Sequence, residues 1–255
     1  MKNILFSAAL VVMLTLNLAA QKKPAVSQHL AGSLEPSQLA PSGTPPALCS
    51  PCLFYGGDLN PTDPNGAGLS DENTLLVLGG SSTYAAYTVP SGGTEKITGI
   101  LFNVQASANF DPRAGTYDIR SGVSEGNGGT SLASGTANLQ VQATGRSFLG
   151  LNEYTLYVKL PAAQTLTAGE YWFNLTPTCT NAASDGSCYV GRLFFSNTTQ
   201  NTNAVVGAAQ PSESMYLNSA FFGFTWANWC DSALGFNIYQ CRAASFGLTG
   251  TAKND

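Results

Sequence analysis

Beyond Thr83 the apolar and polar positions of the chain alternate in short runs, each bounded by Gly, Pro, Ser, Asn or Asp. A period of two sends successive side chains to opposite faces of an extended backbone, so each run reads as a strand with one face turned to a core. Ile100, Phe102 and Val104 share a face of Ile97–Ala106, and Tyr117 and Ile119 share one of Gly115–Ser121. The same pattern returns at Leu139 and Val141, at Tyr154, Leu156, Val158 and Leu160, and at Tyr171, Phe173 and Leu175. Leu193 with Phe195, and Phe236 with Ile238, complete it. Turn signals such as Gly126-Asn127-Gly128-Gly129 and Thr167-Ala168-Gly169 separate the runs at short-loop spacing. No window after the first twenty residues sustains a helical period with caps. The pattern predicts an all-β chain, an antiparallel β-sandwich of jelly-roll-like form, with an up-and-down β-barrel as the alternative.

The ends of the chain read differently. Lys2 precedes an apolar run from Ile4 to Leu14, and Leu18-Ala19-Ala20 then gives way to Gln21-Lys22-Lys23. A short charged start, an apolar stretch and small residues at its end predict a signal peptide over 1–20, cleaved near Ala20. The mature protein is then expected to be secreted, to the periplasm or outside the cell, and to keep no membrane anchor. Residues 21–48 hold five of the 13 prolines and read as a Pro-rich disordered linker. A single domain is expected over 49–250, with 251–255 a polar tail.

Composition narrows the chemistry. Only 10% of the residues are charged, against about 25% in an average domain, and 11 basic groups face 15 acidic ones. Nucleic acid is excluded as a partner, because neutralising phosphates requires clustered Lys and Arg. The single histidine, His29, lies in the expected linker, and none occurs from Leu30 to Asp255. A Ser-His-Asp or Cys-His relay therefore has no base within the domain, and no histidine there can ligate zinc. Carboxylate chemistry remains possible, but it needs one protonated and one ionised acid facing a cleft, and nothing in the spacing of the acids pairs them.

Six cysteines in a secreted chain predict disulfides. Cys179 and Cys188 enclose a turn-rich stretch, and Cys230 and Cys241 allow a similar bridge. Loops of that size add roughly 2–3 kcal/mol each by restricting the unfolded chain. Cys49-Ser50-Pro51-Cys52 has the spacing of a redox pair, yet Leu53-Phe54-Tyr55-Gly56-Gly57 follows where an activating helix N-terminus would have to begin. A short structural disulfide, or crossed pairing with later cysteines, is the reading that remains.

Three stretches, Ile119-Arg120-Ser121-Gly122-Val123-Ser124-Glu125-Gly126-Asn127-Gly128-Gly129-Thr130, Leu132-Ala133-Ser134-Gly135-Thr136-Ala137 and Leu166-Thr167-Ala168-Gly169-Glu170-Tyr171-Trp172-Phe173, together with Glu153-Tyr154-Thr155, carry a resemblance. In them the chain resembles a group of exported bacterial β-sandwich proteins, some of which bear a C-terminal sorting anchor of the PEP-CTERM kind. The likeness spans Tyr55 to Thr176, about half of the chain, and consists of turn-and-strand motifs. The Pro-Glu-Pro motif, terminal apolar helix and basic tail of the anchored members are not found in this sequence. The resemblance implies fold and export and transfers no catalytic residue.

Two stretches are candidates for a site. Between Asp58 and Asn73, acids and amides crowd a Gly/Pro loop, and Asp58, Asp63, Asp71 and Glu72 are candidate ligands for a structural calcium ion. The EF-hand spacing fails, since counting from Asp58 or Asp63 puts Leu69 or Thr74 at the twelfth position. Aromatic residues gather between Phe221 and Trp229. Filling the core is their ordinary role; the alternative is an exposed platform for sugar rings made of Trp172, Trp226 and Trp229, with Trp172 out of phase with Tyr171 and Phe173. Asn174-Leu175-Thr176 and Asn197-Thr198-Thr199 match the glycan acceptor pattern by chance in a chain of bacterial character. The sequence thus points to a non-enzymatic surface, matrix or adhesion module, with an extracellular polysaccharide or cell-surface component as partner. A carboxylate-based glycan-cleaving enzyme is the rival class.

Overall fold

The structure, a computed structural model, describes residues 42–59, 81–106, 112–148, 150–178, 193–198, 204–208, 215–219, 223–228 and 243–254. The expected signal peptide, His29 and the run at Phe236 and Ile238 lie outside the described residues. Within them the chain is all-β. The strands are β1 (Cys52–Tyr55), β2 (Ser81–Ala106), β3 (Ala114–Ser121), β4 (Thr130–Phe148), β5 (Leu151–Thr178), β6 (Phe194–Phe195), β7 (Asn197–Thr198), β8 (Tyr216–Ser219), β9 (Phe224–Asn228), β10 (Ala243–Ala244) and β11 (Phe246–Asn254). Their pairings are antiparallel: one sheet runs β1-β11-β2-β5-β3-β4, with β6 and β8 also on β2 and β9 on β8, and β7 pairs with β10 in a small second sheet.

The large sheet is curled, because its two longest strands change neighbours halfway along. The first half of β2 lies between β8 and β5, and its second half between β11 and β5. The second half of β5 borders β3, while its first half borders β4. Strand β4 follows the curl, pairing with β3 as far as Asn138 and with β5 from Leu139 on. Register breaks mark the bends, between Val89 and Thr94 and between Ile97 and Gly99 of β2. Extra residues in one strand of a pair bend it and increase its twist. Pro90 is exposed at the first of these breaks, where a residue without an N–H disturbs the ladder least.

Both halves of each long strand therefore face one core. It holds Ala85, Tyr87 and Val89 with Ile100, Phe102 and Val104 of β2, and Leu156, Val158 and Leu160 with Tyr171, Phe173 and Leu175 of β5. Phe102 stacks on Phe195 at 4.2 Å between ring centroids, and Phe54 meets Tyr87 and Phe246 at 5.0 Å each. The faces expected from alternation are the faces buried here.

Three boundaries differ from expectation. Thr167-Ala168-Gly169 lies inside β5, since the two runs flanking it form one continuous bent strand. The expected polar tail belongs to β11, where Thr251, Ala252 and Lys253 pair with Lys96, Glu95 and Thr94; backbone pairing does not require apolar side chains. The expected linker is tied down from Ser42 on, as that residue's N–H and hydroxyl both donate to Asp58, at 2.7 and 2.9 Å.

Gly250 sits at the register break of β11, at φ +155°, and a Cβ there would strike the Lys96 carbonyl oxygen. Gly250→Ala is expected to cost about 1–3 kcal/mol in urea unfolding, through backbone displacement at a packed ladder. The Tyr87 hydroxyl donates to Glu95 Oε1 at 3.0 Å across the first bend of β2, and burial pushes the Glu95 carboxyl above the ordinary glutamate range. A group that binds its proton more tightly folded than unfolded stabilises fully below the unfolded value of about 4.3, and that contribution fades as pH rises through the raised folded value. Glu95→Gln and wild type are therefore expected to melt alike near the low end of that window, with the variant gaining relative stability as pH rises to neutrality. Parallel melting curves across the window would refute this.

Candidate functional site

Chemistry gathers on the side of the sheet away from the main core, in two places. The first starts from strand alternation. Asn103 and Gln105 of β2 point opposite to Phe102 and Val104, and the register sets them beside Thr155 and Glu153 of β5. A polar stripe on a strand normally faces water. Here Cys49, Tyr55, Val205 and Val206 pack with Leu101 and Tyr157 over the neighbouring part of that face, and Asn103, Gln105, Glu153 and Thr155 are all buried.

Burial requires each polar group to find a partner, and a network forms. Glu153, fully buried, accepts from Arg146 Nε and, at 2.8 Å, from the Thr144 hydroxyl. Arg146 reaches on to Asp58, its Nη1 lying 3.0 Å from Oδ2. Asp58 accepts from the Tyr55 hydroxyl on its other oxygen as well as from Ser42. Asn103 Nδ2 donates to the Tyr55 oxygen at 2.7 Å and to the Ser245 hydroxyl at 2.8 Å, and Thr155 donates to Asn103 Oδ1 at 2.7 Å. Ser245 in turn donates to the Gly57 carbonyl at 2.6 Å.

Burial raises the Glu153 carboxyl above its ordinary value, with the Arg146 charge opposing. Burial acts to lower the Arg146 guanidinium, but Glu153 and Asp58 outweigh it and hold the group charged. Tyr55 is pushed well up, first by burial and then by Asp58, so it stays a hydrogen-bond donor. Two acids share one arginine and are closed from solvent. The arrangement holds charge in place; it offers no face on which an acid could reach a substrate.

The second place is aromatic. Trp172 leaves the core face, as its phase predicts, and joins Tyr84, Ala86, Val123 and Trp226, with Tyr216 packed against them. Tyr84 and Trp226 lie 4.7 Å apart, and Trp172 meets Tyr216 edge-on at 6.3 Å. The Arg120 guanidinium sits 4.9 Å from the Trp226 ring centre and 5.9 Å from that of Tyr84, a cation over two aromatic faces. Its Nε pairs with Asp118 and its Nη1 donates to the Gly128 carbonyl at 2.7 Å. Asp118 also accepts from the Tyr84 hydroxyl at 3.0 Å and from Ser131 at 2.6 Å. Burial, and then Asp118, raises the Tyr84 hydroxyl; Asp118 raises Arg120 against the effect of burial.

The turn after β3 clamps Trp226. Gly126 N–H donates to the Trp226 carbonyl at 3.0 Å, Asn228 N–H donates to Glu125 at 2.8 Å, and a Cβ on Gly128 would enter the indole ring. Trp226 itself has φ 47°, a left-handed conformation unusual for a large residue, at the register break of β9 against β8. That break disturbs the alternation expected along Phe224–Trp226: Trp226 and Ala227 are both buried.

The structure brings Trp172 and Trp226 together but leaves them only 4% and 9% exposed, so neither presents an open ring face. Trp229 lies outside the described residues, as do Asp63, Asp71 and Glu72 of the expected calcium set. Asp58 of that set is held by Arg146, Tyr55 and Ser42, a cationic neighbourhood ill suited to a calcium ligand. Among the described residues no group of acidic, Cys or His side chains is placed to hold a metal ion. Cys49 and Cys52 form a disulfide, the short structural bridge expected, while Cys179, Cys188, Cys230 and Cys241 lie outside the described residues. Asn174 and Asn197 are buried, which removes both as glycan acceptors. Arg146 and Asn103 did not stand out in the sequence. The signal available was the run of amide, hydroxyl and carboxyl side chains opposite apolar ones at 103–105 and 153–155.

No family model and no curated protein matches the chain.

Removing one member of a buried ion network leaves the others uncompensated. Arg146→Ala is expected to lower unfolding stability by about 3–5 kcal/mol. Adding Glu153→Gln to that variant should restore part of the loss, since the stranded charge is then gone. A loss below about 1 kcal/mol would show that the network contributes little.

Proposed function

We propose that the protein acts outside the cytoplasm as a non-enzymatic β-module of a surface or matrix, with carbohydrate as its ligand. What supports the ligand class is the rim formed by Asp118, Arg120 and Ser131 beside the Trp226–Tyr84 pair. Arg120 and Asp118 side chains keep 22% and 16% of their surface exposed, although each is fixed by several partners. Preorganised donors and acceptors at the edge of an aromatic cluster suit a hydroxyl-rich ring, which offers hydrogen bonds at its edge and an apolar face. Export is supported by the apolar N-terminal run and by the likeness over Tyr55–Thr176 to exported bacterial β-sandwich proteins.

The rival reading, a glycan-cleaving enzyme, gains no support from the carboxylates joined by the fold. Asp58 and Glu153 meet through Arg146 in the interior, whereas cleavage requires two acids opening on a substrate groove.

Incubating the purified protein with a panel of soluble and insoluble polysaccharides, and measuring both pull-down and released reducing sugar, tests the proposal. The expected result is retention on at least one polymer without sugar release, weakened about tenfold or more by Arg120→Ala in a variant whose far-UV spectrum is unchanged. Release of sugar would replace the reading with the enzymatic one. Retention on none of the polymers would remove carbohydrate as the ligand.

A further inference from the structure

Strand β4 closes one edge of the large sheet. Its pairings are with β3 and then β5, and among the described residues no strand lies on its other side. In the first layer the order reaches β5, β3, β4; beyond the curl β3 ends and β5 itself takes that place. One border of β4 is thus satisfied by successive neighbours, and the other presents a row of backbone donors and acceptors.

Open strand edges are ordinarily guarded by charge, proline or a strong twist. This one is not. Residues Thr130 to Gly145 contain no Asp, Glu, Lys, Arg or Pro. Ala133, Ala137 and Val141 pack inward against the core, and Ser134, Thr136, Asn138, Gln140 and Gln142 are exposed. The same strand carries Leu132, the exposed large hydrophobic among the described residues, at 44%.

We infer that this edge pairs with the β4 edge of a second copy of the chain, extending the sheet antiparallel across a two-fold axis. The argument for self rather than another partner is charge. The chain carries a net charge of -4, so two copies repel in general, yet they meet no charge along this strand. A two-fold antiparallel seam places the strand opposite itself reversed. With the axis at Thr136, Ser134 faces Asn138 and Leu132 faces Gln140, and hydroxyls and amides both donate and accept. A seam over Thr130–Gln142 is about 40 Å long at ~3.4 Å per residue, enough for a continuous ladder. A basic or acidic partner finds nothing here to recognise. The inference concerns a different surface chemistry from the carbohydrate reading and stands without it.

Sedimentation of the purified protein over a roughly hundredfold range of concentration, with hydrogen exchange of the β4 amides, tests the seam. A concentration-dependent dimer is expected, with exchange across 130–142 slowing as dimer forms. Thr136→Lys sets two like charges against each other at the axis and should shift dimerisation by tenfold or more, whereas Ser91→Lys, exposed at the bend of β2, should leave it unchanged. A monomer at every concentration would overturn the inference. So would a dimer that Thr136→Lys leaves intact, or one whose β4 amides exchange as fast as in the monomer; a monomer that gains β4 protection only with an added extended peptide would assign the edge to another partner.

Discussion

Arg146 is the residue on which the outer layer of this protein depends. It is buried with its charge, and the fold accommodates it only because Glu153 comes from β5 and Asp58 from the segment after β1. Through Asp58 the network fastens Ser42 and Tyr55, and through Tyr55 it reaches Asn103 at the centre of β2. Breaking such a pair costs far more than making it contributes, since a lone buried charge has no solvent to answer it. The network therefore acts less as added stability than as a requirement that the covering segment stay in one place.

The same principle separates the two polar clusters. Around Arg146 every charge is enclosed, and the residues only hold. Around Arg120 the partners are as numerous, but the ion pair lies at the rim and keeps part of its surface in water. Fixed geometry with remaining access is what a binding group needs; fixed geometry without it is a structural joint. The closure of Trp226 by Gly128 and Arg120 belongs with the rim, because it holds those side chains in one arrangement.

Much of the fold was legible in the sequence because period two is a direct consequence of strand geometry. Ile100, Phe102, Val104, Leu156, Val158, Phe173 and Leu175 all take the core face that alternation assigns. What alternation cannot convey is whether the opposite face is wet. Trp172 left the core as predicted and entered a second covered cluster, while Asn103, Thr155 and Glu153 sit under a layer supplied by residues far away in the chain. Asp58 read as a loop acid because its partner, Arg146, lies 88 positions later. The bends of β2 and β5 were hidden for another reason: Thr167-Ala168-Gly169 carries turn chemistry, but a twisted sheet uses the same residues to bend a strand without ending it.

The pairing of β1 with β11 has a consequence in time. Cys52 lies opposite Thr249 and Tyr55 opposite Gly247, so one of the first ordered segments to be synthesised has its ladder partner at the far end of the chain. Until that end emerges, β1 lacks its neighbour, Tyr55 has no Ser245 nearby, and loop closure across nearly the whole domain remains to be achieved. A nascent or translocating chain must consequently stay unfinished until its last strand is released. The protein has no native half that could jam a narrow channel, and its fold becomes complete only as a whole.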